Sequence, residues 1–256
     1  LAISMEPWAL TTQDDATSQE MRRILADLPA WIGEMVVAPE DARRTPPCAD
    51  LLDPTRFEAL FAPCLAPDEV RAAKLSFWSQ YYFGSLCLPV AACALLTGRA
   101  VSAPLTACAF APNAEAMPAA FRIGTELWAK PGRGLLDGLL EDHLRPAVAA
   151  FAQAGPLAER VLWGNAAHYL EWLVGWMAAE GRADPGLVEE ARDFLERPLL
   201  PDGRRNPLAG AIHYGGGQPS AETRRRKTCC LRYRLACAAD CGGLCPKIAA
   251  QGRRAA

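Results

Sequence analysis

"APDEVRAAKLSFWSQYYFGSLCLPVAACALLTG", residues 66–98, decides how this chain folds. Pro67, Asp68 and Glu69 make a helix opening, and Gly98 supplies the left-handed backbone on which helices commonly end. After Leu75 the run is apolar on nearly every side instead of striped along one face. A helix of that kind belongs at the centre of a fold. Pro89 lacks the N–H that a helix interior uses, so a kink or split is expected there. The most apolar part, residues 83–98, falls short of the roughly 18–20 residues that span a bilayer. A buried core helix is expected, and no transmembrane segment.

Outward from this centre the chain stays mostly helical. "TSQEMRRILADLPAWIG" predicts a helix from about Ser18 to Leu28, ended by Pro29. "DPTRFEALFA" places Asp53 at an N-cap and Pro54 at the first helical position. Downstream the texture changes. Between about 101 and 131, "LTACAFA" and "AAFRIGTELWA" flank "PNAEAMP" and read as a hairpin. Helical pattern resumes in "RGLLDGLLEDHLRPAVAAFAQAG", with Pro146 a break point, and continues from Pro156 to Gly181. "DPGLVEEARDFLERP" is capped by Asp184, opened by Pro185 and stopped by Pro198. Residues 199–220, rich in Gly and Pro, read as a loop that tethers a cysteine-rich tail to the helical body.

The chain has 256 residues, 51% of them hydrophobic, and a formal net charge of −2. A near-neutral balance gives no global attraction to nucleic acid or anionic membrane, so neither is an expected partner. The first residues, "LAISMEPWALTTQDDATSQE", are acidic and lack a basic segment followed by an apolar one, so no signal peptide is read and a cytoplasmic setting is expected. In a reducing compartment ten cysteines are not expected to be crosslinks. Cys48, Cys64, Cys87, Cys93 and Cys108 are scattered, and Cys87 and Cys93 lie in the apolar helix, where a thiol packs as a small hydrophobe.

The other five crowd into "RRRKTCCLRYRLACAADCGGLC", residues 224–245. Grouped thiols in a cytosolic chain read as metal ligands first. Adjacent Cys229 and Cys230 cannot face one centre from a strand, whose side chains alternate, but they can from a turn. Zinc sites favour ligands paired two to four residues apart, and ferredoxins use spacings that do not start with a double cysteine. The count indicates a thiolate metal site; the spacing fits neither common kind.

"RRKTCCLRYRL…C…CP" resembles the carboxyl-terminal motif of the FhuF-type ferric-siderophore reductases, C-C-x10-C-x2-C holding a [2Fe–2S] cluster. "RVLWGNAAHYL", 160–170, resembles that family's LWGN-type helix, and "FWSQYYF", 77–83, its aromatic stretch. The first 60 residues carry little of the likeness. The gap from Cys230 to Cys241 matches, whereas Cys241 to Cys245 leaves three residues instead of two. By resemblance Cys229, Cys230, Cys241 and Cys245 are the cluster ligands, with Cys237 a bystander that can substitute for Cys245. The same likeness implies a cytoplasmic oxidoreductase that passes one electron to siderophore-bound Fe(III), hydroxamates being the expected chelators, and releases Fe(II). No catalytic residue beyond the cluster is expected.

Arg224, Arg225, Arg226, Lys227, Arg232 and Arg234 would compensate cluster charge and attract an anionic chelate or an acidic donor. Arg225, Arg226 and Arg232 are the candidates for substrate contact. No G-x-G-x-x-G follows a strand, so electrons are expected from a separate reductase or small carrier. The competing readings are a zinc-stapled siderophore-binding or interaction protein, and an iron–sulfur sensor of redox or iron status. Among the histidines, His168 reads as a core residue and His213 as structural or exposed, and none joins a paired zinc motif. Asn165 on its apolar helix needs a buried partner. The fold expected is α+β and mainly helical. A body spans residues 1–198 with a small central β element, and residues 199–256 form a loop and a cysteine-rich tail docked on that body.

Overall fold

The aromatic side chains of the central helix organise the molecule. A computed structural model describes residues 12–247 apart from 39, 42, 44, 67, 68, 216–222, 237, 239 and 240. Its helices are α1 (Thr12–Ile24), α2 (Ala30–Gly33), α3 (Pro54–Phe61), α4 (Arg71–Thr97), α5 (Arg145–Gln153), α6 (Glu159–Ala179) and α7 (Pro185–Glu196). Two antiparallel pairs of strands complete it: β1 (Cys108–Pro112) with β2 (Pro118–Ile123), and β3 (Ile212–Tyr214) with β4 (Arg224–Arg226). The protein is mainly helical α+β, as its sequence indicates.

Helix α4 is buried from Ala73 to Leu95 on every side except at Tyr81. Trp78 and Tyr82 stack at 5.9 Å, and Phe57, Phe110, Phe121 and Phe151 pack around them edge-on or tilted. Such rings bury large apolar areas and lock one another's orientation. By length and composition α4 could cross a membrane, yet 83% of its apolar window is buried inside the protein. Gly98 ends it with φ +68°, its N–H bonded to Ala94 O. The helix is not split at Pro89, and it begins at Arg71, later than expected; Pro67 and Asp68 lie outside the described residues.

The central hairpin pairs Cys108 with Ile123 and Phe110 with Phe121, so alternate residues face the aromatic core. Asn113 Oδ1 accepts the N–H groups of Glu115 and Met117 and shapes its turn. Asp53 and Asp184 cap α3 and α7 as their sequences predict. The first helix ends earlier, at Ile24, and hydrogen-bonded turns lead from it to Pro29, which opens α2 instead of closing α1. Nor does Pro146 break its helix. Residues Leu139–Leu144 widen into a π turn and α5 continues from Arg145, accommodating the missing proline N–H.

The segment 199–220, expected to be all loop, contributes strand β3, which pairs with β4 in the register Ile212↔Arg226, His213↔Arg225, Tyr214↔Arg224. Three residues among glycines carry too little period-2 signal to be read as a strand. Leu208 and Leu235 join the main apolar core, and Leu231 packs against it. The tail is docked on the body.

Candidate metal centre

Helix α6 prepares the surface on which the tail sits. Its polar side chains Asn165, His168 and Glu171 recur every third residue on an otherwise apolar helix. Asn165 is wholly buried, and its amide donates to Ser76 O (3.0 Å) and Ser79 Oγ (2.8 Å) of α4. Its remaining oxygen accepts from Arg226, so one side chain joins α4, α6 and β4. At the far end of the same hairpin Arg224 pairs with Glu171 and donates to His168 O at 2.6 Å. Tyr214, across from Arg224 in register, gives its hydroxyl to Glu171 as well. Burial, then Glu171, push that phenol up to about 12. His168 accepts from Arg224 through Nδ1 at 3.0 Å, a role open only to neutral imidazole. Burial and the two arginines hold its pKa down at about 3.

Beyond β4 the chain turns irregular, and this is where the double cysteine lies. Leu231 sits in left-handed backbone, φ +63°. That conformation costs a non-glycine residue about 1–2 kcal/mol. In this turn Leu231 N–H donates to Cys229 Sγ at 3.4 Å.

Cys230 is 1% exposed and its sulfur lies 3.2 Å from that of Cys241. The Cys241 thiol, followed by the Arg226 guanidinium, draws the Cys230 thiol down, and the same contact holds Cys241 up. Cys245 is buried and stands within electrostatic reach of Cys241, while Arg226 is felt by Cys229, Cys230 and Cys241. The four thiols share one neighbourhood. Among the described residues no three His, Cys, Asp or Glu side chains form a ready shell for a single metal ion. One pair of these thiols, Cys230 and Cys241, is in contact, and four thiolates are the donor set that a two-iron centre takes. The remaining cysteines differ in kind: burial pushes Cys48 and Cys93 up to about 12, Cys64 to about 11, and Cys87 up as well. These are packing thiols. Cys237 lies outside the described residues.

The three arginines expected at the substrate separate. Arg226 is 2% exposed, and its Nε is buried without a hydrogen-bond partner among the described residues. Its placement is that of an internal counter-charge, not a surface clamp. Arg225 is partly buried and donates to Arg224 O at 2.9 Å. Arg232 lies over the Phe77 ring of α4 at 4.9 Å. His213 is exposed on β3 opposite Arg225. Sequence reasoning passed over Glu171; the signal for it was the polar row on α6.

A model of the family described as "Ferric iron reductase FhuF-like transporter" matches residues 76–217, from α4 through β3. The match starts after α1, α2 and α3 and ends before the cysteines of the tail. No curated protein matches the chain. With more than half its length matched, this chain belongs to the FhuF-like ferric iron reductase family.

Proposed function

We propose that the protein reduces iron(III)–siderophore complexes by one electron in the cytoplasm, through a [2Fe–2S] cluster held by Cys229, Cys230, Cys241 and Cys245. The observation that carries this reading is the part-buried contact of Cys230 with Cys241, within the electrostatic reach of the Arg226 guanidinium, in a chain of the FhuF-like ferric iron reductase family. Such a cluster, when bound, supplies one electron at a time. The chain's own residues do the rest. Arg226 offsets thiolate charge from within, and Asn165 and Glu171 hold the hairpin so that the offset stays in place. The Leu231 N–H stabilises the Cys229 sulfur, and with Arg226 it favours the more negative, reduced state. Water is kept from Cys230 and Cys245 by their burial.

Ferric iron is a hard ion held by hydroxamate oxygens, and one added electron lowers its charge and weakens that grip. The released Fe(II) then passes to other ligands, and no covalent bond of the chelator changes. The test supplies pre-reduced protein with ferric hydroxamate, catecholate and citrate chelates in the presence of a ferrous trap. One trapped Fe(II) per electron stored is expected from the hydroxamate. No Fe(II) from any of the three would refute the assignment.

A further inference from the structure

Residues 223–247 contain seven cations and one acid, Asp240, in a chain whose net charge is −2. Two of these cations, Arg224 and Arg226, are consumed internally by Glu171 and Asn165. Lys227, Arg234 and Lys247 are exposed and have no carboxylate partner among the described residues. They lie two to four residues from the nearest ligand cysteine on three separate segments: after β4, at the end of the Arg232–Arg234 turn, and just past Cys245.

Aromatic side chains accompany them. Tyr233 is 54% exposed and stands under the Lys247 ammonium, 3.4 Å from the ring centroid. Tyr81 is 39% exposed, the single residue by which the buried stretch of α4 reaches solvent, and it packs edge-on to Phe77 beneath Arg232. Exposed tyrosines within a cationic rim have the composition of a protein-binding surface, where aromatic residues supply contact area and rim charges steer approach.

We propose that this face, Lys227, Tyr233, Arg234 and Lys247 with Tyr81, is the docking surface for a small acidic one-electron carrier protein. This rests on the reductase reading and names its missing partner. A partner with the opposite charge would be drawn to the side of the molecule on which the thiols lie, giving a fast, salt-sensitive encounter. In the transfer one electron leaves the reduced carrier, which is oxidised by one unit, and enters the thiolate-held centre, which is reduced by one; no proton or bond is exchanged. The chain's overall net charge of −2 disfavours a nucleic acid, so a protein partner is favoured.

The test measures binding of an oxidised acidic [2Fe–2S] ferredoxin to the full-length protein at about 50 and 300 mM salt, where screening lengths fall from about 14 to 6 Å. Weakening by tenfold or more at the higher salt is expected. Lys227→Glu, Arg234→Glu and Lys247→Glu should each weaken binding several-fold at low salt, while Arg23→Glu, an exposed reversal on α1, should not. Bleaching by reduced ferredoxin should slow in the same order, while bleaching by dithionite should not change. The surface is refuted if the ferredoxin fails to bind, if the three reversals leave its affinity intact, or if a DNA duplex or anionic vesicles bind more tightly through the same three residues. Because binding is measured without turnover, the result decides the surface even if no siderophore is reduced.

Discussion

At the residue scale the site depends on making two neighbouring sulfurs serve one centre. A strand cannot do this, and in the proposed site Leu231 supplies a left-handed turn whose N–H donates to Cys229. The double cysteine was legible in the sequence; the turn was not, because a leucine gives no sign that it will adopt a conformation usually left to glycine. Cys87 and Cys93 show the contrast, since each was readable as a packing thiol from its apolar neighbours and each is buried. The fourth ligand is the open point of the resemblance, because the family spacing differs by one residue between Cys241 and Cys245. Cys245 is buried within electrostatic reach of Cys241, so Cys245→Ser should erase the visible absorption of the purified protein. Cys237→Ser should leave that absorption nearly intact.

At the element scale the hairpin β3–β4 is anchored at both ends to helix α6, by Asn165 at Arg226 and by Glu171 at Arg224. Long helices announce themselves through caps and apolar texture, which is why α3, α4, α6 and α7 were readable. Strands of three residues do not, and β3 and β4 exist because their side chains find partners on a distant helix. The need of Asn165 for a partner was visible in the sequence, and four hydrogen bonds now satisfy it. Asn165→Ala removes those bonds and leaves Arg226 buried without a neutral acceptor. A loss of about 2–4 kcal/mol is expected from a buried, charge-assisted contact. Thermal unfolding should report the loss as a lower midpoint, and the thiol site should load poorly while the far-ultraviolet signature of the helical body persists.

At the scale of the whole molecule one apolar core carries the helices, the central hairpin and part of the tail, and charge is distributed unevenly over it. Two histidines lie inside this fabric as neutral groups. Burial holds His143 at about 4, between Tyr82 and Ala103 O, and His168 at about 3. An unfolded histidine titrates near 6.5, so below that pH the unfolded chain takes up protons that the native one refuses. Stability should therefore be full above pH 6.5 and decline as the pH falls toward 4. Urea midpoints at pH 7, 6 and 5 should decrease in that order, and His143→Gln should flatten the decline. The burial of α4 was foreseeable from its all-round apolar surface, but the division of the tail's cations between inward counter-charge and outward rim was not, since charge runs do not reveal which members face the core. The proposed chemistry depends wholly on the group that the four late cysteines hold. The most direct measurement is iron and inorganic sulfide content of anaerobically purified protein, with its visible spectrum before and after dithionite. Two iron and two sulfide per chain, with a reddish-brown colour bleached by reduction, is the expected result; colourless protein carrying zinc and no sulfide would contradict it.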